Sequence, residues 1–241
     1  MDKFIIGYDL HDNFLDKRTV DAMFSFIKSF KPNIRILGGD IFDMTALRSG
    51  ASVSDQGVSI SDGIAVAEDF IKRFDPSISL FGNHEDRIAA TINNSIGPLK
   101  EYASTIYDEV HRIYEDVNCK TIDYNKRLYY QLGNYKVIHG FYAGLSAIKN
   151  HSISYGGNVI HGHTHSPGIY SVPSVNESIA VSSPCLCNVD YEYNKKAPSS
   201  LSHKNGWVYG TISRSGKCSV RIAIKDEETN TFLCETSTRE F

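Results

Sequence analysis

Apolar positions in the first part of the chain follow two rhythms. Short continuous runs predict buried strands: Phe4-Ile5-Ile6-Gly7-Tyr8, Ile34-Arg35-Ile36-Leu37 and Ile78-Ser79-Leu80-Phe81. Between them, Val20, Met23, Phe24, Ile27 and Phe30 recur at helical spacing, and so do Ile64, Ala67, Phe70, Ile71 and Phe74. Pro32 and Asp75-Pro76 mark the ends of these two helices. The Ser-, Gly- and Asp-rich stretch from Ser49 to Ser61 predicts a surface loop. Residues from about Arg87 to Val117 predict further helix, broken near Gly97-Pro98.

From Thr121 the rhythm changes. Tyr129-Tyr130-Gln131-Leu132 and Tyr135-Lys136-Val137-Ile138 flank Gly133-Asn134, a pair suited to a tight hairpin turn. A helix is expected between Ala143 and Ser154, and a strand at Asn158-Val159-Ile160. Beyond Gly168 the pattern is strand-like, with Trp207 to Ile212 and Ser219 to Ile224 joined by a turn at Arg214-Ser215-Gly216-Lys217. The order is βαβαβ, then helices, then mostly strands. With no internal repeat and no separating linker, residues 1–241 read as one domain.

Composition narrows the class. A chain of 241 residues, 41% of them hydrophobic, has material for a well-packed domain. A net charge of −3 and a pI near 6.3 argue against a broad basic surface for nucleic acid. No apolar run approaches the roughly 20 residues that cross a bilayer, so no membrane partner is expected. The segment Met1 to Asp9 lacks the basic and apolar regions of a signal peptide. Five cysteines at irregular spacing read as reduced thiols, which points to the cytoplasm. Cys185-Leu186-Cys187 has no second pair to complete a zinc site and reads as buried thiols.

Five polar patches carry the chemistry: Asp9-Leu10-His11, Gly39-Asp40-Ile41-Phe42-Asp43, Gly82-Asn83-His84-Glu85, His139-Gly140 and Gly162-His163-Thr164-His165. Alone, each is compatible with an ordinary turn or helix cap. All of them follow predicted strands, so their side chains converge on one rim, where α/β folds place their sites. Together they supply the oxygen and imidazole donors that a pair of divalent cations needs. Two-metal ester cleavage requires a bridging carboxylate and ligands that leave positions open for water and phosphate. Mixed His, Asp and Asn donors suit Mn²⁺, Fe or Zn²⁺. Few thiols neighbour the patches, which argues against a Cys-rich structural zinc site.

In order and spacing the patches resemble those of the calcineurin-like metallophosphoesterase superfamily: D-x-H, G-D-x-x-D, G-N-H-[DE], a lone His after a strand, and G-H-x-H. The resemblance spans Asp9 to His165. It implies a four-layer αββα sandwich of two mixed β-sheets flanked by helices, an α/β (α+β) fold. It implies two divalent metal ions, Mn²⁺ first, with Fe, Zn²⁺ or Ni²⁺ as the other candidates. Asp9, His11 and His165 match the ligands of one ion, and Asn83, His139 and His163 those of the other. Asp40 matches the bridging carboxylate. His84 matches the catalytic general acid, and Asp43 the acid that orients it. The implied reaction is hydrolysis of phosphomonoesters or phosphodiesters by a hydroxide held between the two ions.

Substrate choice is less legible. A phosphatase or phosphodiesterase acting on a small or nucleotide-like ester is the first reading. A DNA exo- or endonuclease is the alternative, since Gly39-Asp40-Ile41-Phe42-Asp43 resembles the second motif of the superfamily's repair nucleases. Phe81 and Met44-Thr45 stand where protein Ser/Thr phosphatases have Arg and Arg-Gly. The Arg closely following G-N-H-E is similar to small bacterial and bacteriophage members. A non-catalytic metal-binding scaffold is a different class, reached by members that lose the catalytic His or several ligands; none is missing here. Arg87 and Arg48 are candidates to hold a substrate phosphate through the planar guanidinium fork, although a solvent-exposed Arg is the simpler reading of both. Tyr142 and His151 are weaker candidates. His161 reads as a supporting residue, and His111 and His203 as surface or satisfied residues.

Overall fold

Strand β1 (Asp2–Gly7) has apolar side chains on both faces, and their alternation sets the layers. Phe4 and Ile6, with Tyr8 just beyond the strand, enter one core, and Ile5 enters another. The computed structural model describes residues 1–48, 50–51, 57–173, 178–189, 198–229 and 231–234. Residues 49 and 52–56 of the expected surface loop therefore lie outside the described residues.

Strands β2 (Ile34–Leu37), β3 (Ile78–Leu80) and β4 (Lys120–Ile122) extend β1 on one side, all parallel. On its other side lie β10 (Gly206–Ile212), β11 (Cys218–Asp226) and β12 (Thr231–Leu233), antiparallel. The strand-rich end of the chain thus returns to the first sheet, which the hydrophobic pattern does not announce. The second sheet has the order β5 (Tyr130–Leu132), β6 (Tyr135–Val137), β7 (Asn158–His161), β9 (Ser178–Ser182), β8 (Gly168–Val172). Its strands β6, β7 and β9 are parallel, and β5 and β8 run antiparallel at the edges.

Helices α1 (Lys17–Phe30), α2 (Ile60–Phe74) and α4 (Pro98–Asp116) bury their apolar stripes against the outer face of the first sheet. Met23, Phe26, Phe70, Ile71, Ile106 and Val110 meet Ile5, Leu37, Trp207 and Tyr209 there. Each such side chain contributes about 1.5–3 kcal/mol on burial. Asp16 caps α1 through the Thr19 N–H, and Ser59 caps α2 through the Asp62 N–H. The inner face, with Phe4, Ile6, Ile36, Leu80 and Val208, packs on Leu132, Tyr135, Val137, Ile160 and Val181 of the second sheet. Helix α5 (Ala147–Tyr155) covers the far side of that sheet, against β7, β8 and β9. The result is the expected four-layer sandwich of two mixed sheets flanked by helices.

One boundary differs from the expectation. Helix α3 (Asn83–Asn94) begins at the G-N-H-E patch itself rather than near Arg87. Glu85 reaches back to accept the Gly82 N–H, and Asp40 Oδ1 accepts the His84 N–H in the first turn, a cap that glycine has no side chain to make. No described helix is long and apolar enough to cross a membrane.

Candidate metal centre

Parallel pairing of β1, β2 and β3 brings Asp9, Asp40 and Asn83 out at the same rim. Parallel pairing of β6 and β7 does the same for His139 and His163 on the facing sheet. The loops then turn sharply. Asp9, His11, Asp12, Asp40, Met44, His163 and His165 all have φ between 34° and 67°, in the left-handed region. Asp and His tolerate it better than most residues, yet such positions persist only where surroundings over-determine them. Gly82 is required for space: a Cβ there would lie 2.1 Å from Asp40 Oδ1.

Asp40 is the hub. Its Oδ1 accepts the His84 backbone N–H at 2.9 Å, which leaves Oδ2 facing three imidazoles. Oδ2 lies 3.2 Å from His139 Nε2, 3.7 Å from His84 Nε2 and 4.0 Å from His11 Nε2. Asn83 Oδ1 sits 3.2 Å from His139 Nε2, and the His163 ring packs edge-on to the His139 ring. Burial would raise the Asp40 carboxyl, but His139 and His84 beside it hold it well below its usual range. His139 responds in kind: burial lowers it, Asp40 outweighs that, and it is pushed up to about 9. His163 goes the other way, to about 4, through burial and the neighbouring His139.

Asp43 does more than orient the expected catalytic residue. Its Oδ1 lies 3.1 Å from His84 Nδ1 and 3.0 Å from His11 Nδ1, so one carboxylate fixes both rings. Burial raises the Asp43 carboxyl, and the hydrogen bonds from the two rings more than reverse this. The outcome leaves His11 Nε2 buried, turned toward the hub and without a hydrogen-bond partner. Ring nitrogens of His111, His151, His161 and His203 lack a partner as well, so His11 Nε2 points to an ion only together with the Asp40 carboxylate that it faces at 4.0 Å.

Three groups of donors could hold a cation among the described residues: Asp40 with His139 and His163; His11 with Asp40 and His84; and His11 with His165 and Cys187. The donor chemistry fits divalent metals. Asp9 belongs to none of these groups. Both its oxygens accept the His163 N–H, at 3.2 and 2.9 Å, and its Oδ1 lies 3.6 Å from His165 Nε2.

No family model matches the chain, and no curated protein matches it in sequence. Its likeness is one of structure. Vps29 from Entamoeba histolytica superposes with a TM-score of 0.53 at 9% identity, covering 97% of each chain. The likeness shows the fold, two mixed sheets flanked by helices. Vacuolar protein sorting 29 from Cryptosporidium parvum is also similar (TM-score 0.48, 11% identity, 92% of this chain and 97% of that one). So is YfcE, a phosphoesterase from E. coli (TM-score 0.40, 10% identity, 91% and 98%).

Within this fold, several supporting residues escape the motif reading. Glu85 is buried, and its two oxygens accept four backbone N–H groups, from Asp40, Ile41, Phe42 and Gly82, at 2.6–3.0 Å. Burial and the Asp40 charge push it up to about 7 against the pull of those donors. Asp12 Oδ2 accepts the Asp43 N–H at 2.8 Å. On the facing rim, His151 Nε2 accepts the N–H groups of Phe141 and Tyr142, just after His139-Gly140. The His161 ring is buried at the end of β7 and packs on His151.

Three expectations are corrected. Arg87 is not a solvent-exposed side chain. Its guanidinium lies against the His84 ring, with Nη1 and Nη2 each 2.9 Å from a ring nitrogen, and Nη1 donates to the Asp43 carbonyl at 2.7 Å. The turn of helix between His84 and Arg87 is what stacks them. Thiols do lie at the site: Cys187 Sγ is 3.8 Å from His165 Nδ1, a contact made by a chain segment 22 residues away. His203 is not a bystander, since its ring packs on His165 and lines the cleft beside the metal centre. Arg48 is exposed at the site's edge, with its charge felt by Arg87. The cleft, about 310 Å³, is walled by Gly144, Leu145 and Ile148 and by the hydroxyls of Thr164, Ser166 and Ser202, with His163 at its base.

Proposed function

We propose that this protein is a hydrolase of phosphomonoesters or phosphodiesters that works with two divalent metal ions. The observation that carries the reading is the single Asp40 oxygen facing His11, His84 and His139 within 4.0 Å, from loops of both sheets. Asn83, His139 and His163 would hold one ion and His11 and His165 the other, with Asp40 between them. When bound, such ions lower the pKa of water and offset the charge that grows on a phosphoryl group. Because the donors come from both sheets, the chain would act as one domain.

The protein's own groups would do the rest. Water oxygen bonds to phosphorus as the bond to the leaving oxygen breaks, and His84 gives that oxygen its proton. Its Nδ1 is held by the Asp43 carbonyl at 2.5 Å, and its Nε2 faces Arg87 Nη2 at 2.9 Å, so the guanidinium would turn from Nε2 to the phosphate as the substrate enters. Arg87, braced on Asp43, would thereby bring a positive charge to the phosphate.

A small dissolved ester in the cytoplasm is the better substrate class. Among the described residues the cleft wall carries hydroxyls and apolar side chains and neither Lys nor Arg, which suits an uncharged leaving group rather than a polyanionic strand. His84→Ala should lower turnover of a nitrophenyl phosphate ester about 10²–10⁴-fold with metal content unchanged. Turnover equal to wild type would remove His84 from the reaction. Cleavage of a labelled oligonucleotide at a rate matching the small ester would favour a nuclease instead.

A further inference from the structure

The motif pattern puts Asp9 with His11 and His165 on one cation. The geometry groups those two histidines with a different partner. Ring nitrogens of His11 and His165 and the Cys187 Sγ all lie within 4.8 Å of one another, and all three residues are buried. A tetrahedral shell of two imidazoles and a thiolate spans roughly 3.5 Å between donors, so the cluster needs little closing to hold an ion.

Two further observations point at an ion there. His11 is 95% buried, and its Nε2 has no hydrogen-bond partner. The two nitrogens of His165 also face different groups: Nδ1 faces the Cys187 sulfur at 3.8 Å, and Nε2 faces Asp9 Oδ1 at 3.6 Å. A carboxylate behind the distal nitrogen of a ligating histidine is the usual way to fix its tautomer. Asp9, with both oxygens already accepting the His163 N–H, is placed for that supporting job.

The sulfur is not there by chance of a floppy tail. Its segment is sewn to the loop that carries His11: the Leu186 N–H donates to the Tyr8 and Asp9 carbonyls, the Asp16 N–H to the Leu186 carbonyl, and the Asn188 N–H to the Phe14 carbonyl. Asn205 Nδ2 holds the Cys187 carbonyl at 2.6 Å. Cys185 turns its Sγ to the Cys187 and Lys204 carbonyls and also neighbours His165, but it is not one of the three donors that meet within 4.8 Å.

We infer that Cys187 is a thiolate ligand, with His11 Nε2 and His165 Nδ1, of the cation on this side of Asp40, and that Asp9 positions His165 from behind. Binding forms a metal–sulfur bond, and the thiol proton leaves to solvent. A soft donor would bias this position toward Zn²⁺, Fe²⁺ or Co²⁺ and against Mn²⁺, unlike the oxygen- and nitrogen-bound position at Asn83, His139 and His163. The inference rests on the metal-centre reading of the preceding section, but its test does not need turnover.

The test is the absorption spectrum of the full chain loaded with Co²⁺. A thiolate–cobalt bond gives an intense near-ultraviolet charge-transfer band, and wild type should show it. Cys187→Ser should lose the band and bind Zn²⁺ at least tenfold more weakly, with Mn²⁺ affinity changed less than threefold. Cys185→Ser should keep the band. A cobalt-loaded wild type without the band overturns the inference even if the serine variant fails to fold, and so does a band that survives in Cys187→Ser. A band in a protein that hydrolyses no phosphoester leaves the thiolate standing and sinks the esterase. Hydrolysis without the band does the reverse.

Discussion

The rim built by the first sheet and the rim built by the second differ in what holds their loops. On the first, the buried Glu85 carboxyl gathers four backbone N–H groups and Asp12 gathers the Asp43 N–H. On the second, the neutral His151 ring gathers the N–H groups of Phe141 and Tyr142. One brace is an acid, the other a base, with Asp12 and Asp9 adding bonds to the Asp43 and His163 N–H groups. The candidate metal donors sit between them, so a metal site there would depend on both braces and respond to acid through the second. Asp40 belongs to the first rim by sequence and to both by contact.

The largest test of this contrast is at Asp40. Asp40→Asn keeps the shape but removes the charge that faces His11, His84 and His139. Affinity for both cations should fall together, by at least about 100-fold, beyond what loss of a merely orienting residue costs. Calorimetric titration with Mn²⁺ and Zn²⁺ reads this directly. Loss at one position alone would assign Asp40 to one rim and separate the two.

Glu85→Gln tests the first brace by itself. An amide would turn a donor toward two of the four N–H groups that the carboxyl now accepts. Buried donors left unpaired should cost about 2–3 kcal/mol in urea unfolding. An unchanged midpoint would mean the loop around Asp40 holds itself. The pairing of rims would then be looser than the hydrogen bonds imply.

What the sequence made legible follows the same division. The strands Phe4–Tyr8, Ile34–Leu37 and Ile78–Phe81 were readable because buried parallel strands are short, mostly apolar runs, the last two lying between a proline and a glycine. The candidate ligands were readable because each sits within a few residues of a strand end. The left-handed turns at Asp9, Asp40, His163 and His165 were not, since no glycine marks them. Glu85 looked like the last letter of a motif, and only its four bonds give it a job. Cys187 and His151 carry no local signal at all. Each reaches the site by tertiary return, Cys187 through the segment after β9 and His151 from α5 across the second sheet.

The second brace makes the smallest and most specific prediction. His151 is fully buried, and burial, with His161 and His163 nearby, lowers it to about 3 from an ordinary value near 6.5. Its Nε2 accepts two N–H groups, so the fold requires that nitrogen to be unprotonated. The folded value is the depressed one, so this contribution to stability is complete above about pH 6.5 and is lost as pH falls toward 3. The loss is roughly 1.4 kcal/mol for each pH unit within that window. His151→Gln keeps an acceptor and removes the titration. It should be less stable than wild type at pH 8, because the amide fits the two donors less well, yet lose stability less steeply between pH 6.5 and 5. Urea unfolding at several pH values separates the two lines. Parallel slopes would mean that the second rim owes its acid sensitivity to another buried ring, with His161, lowered to about 4, next in position.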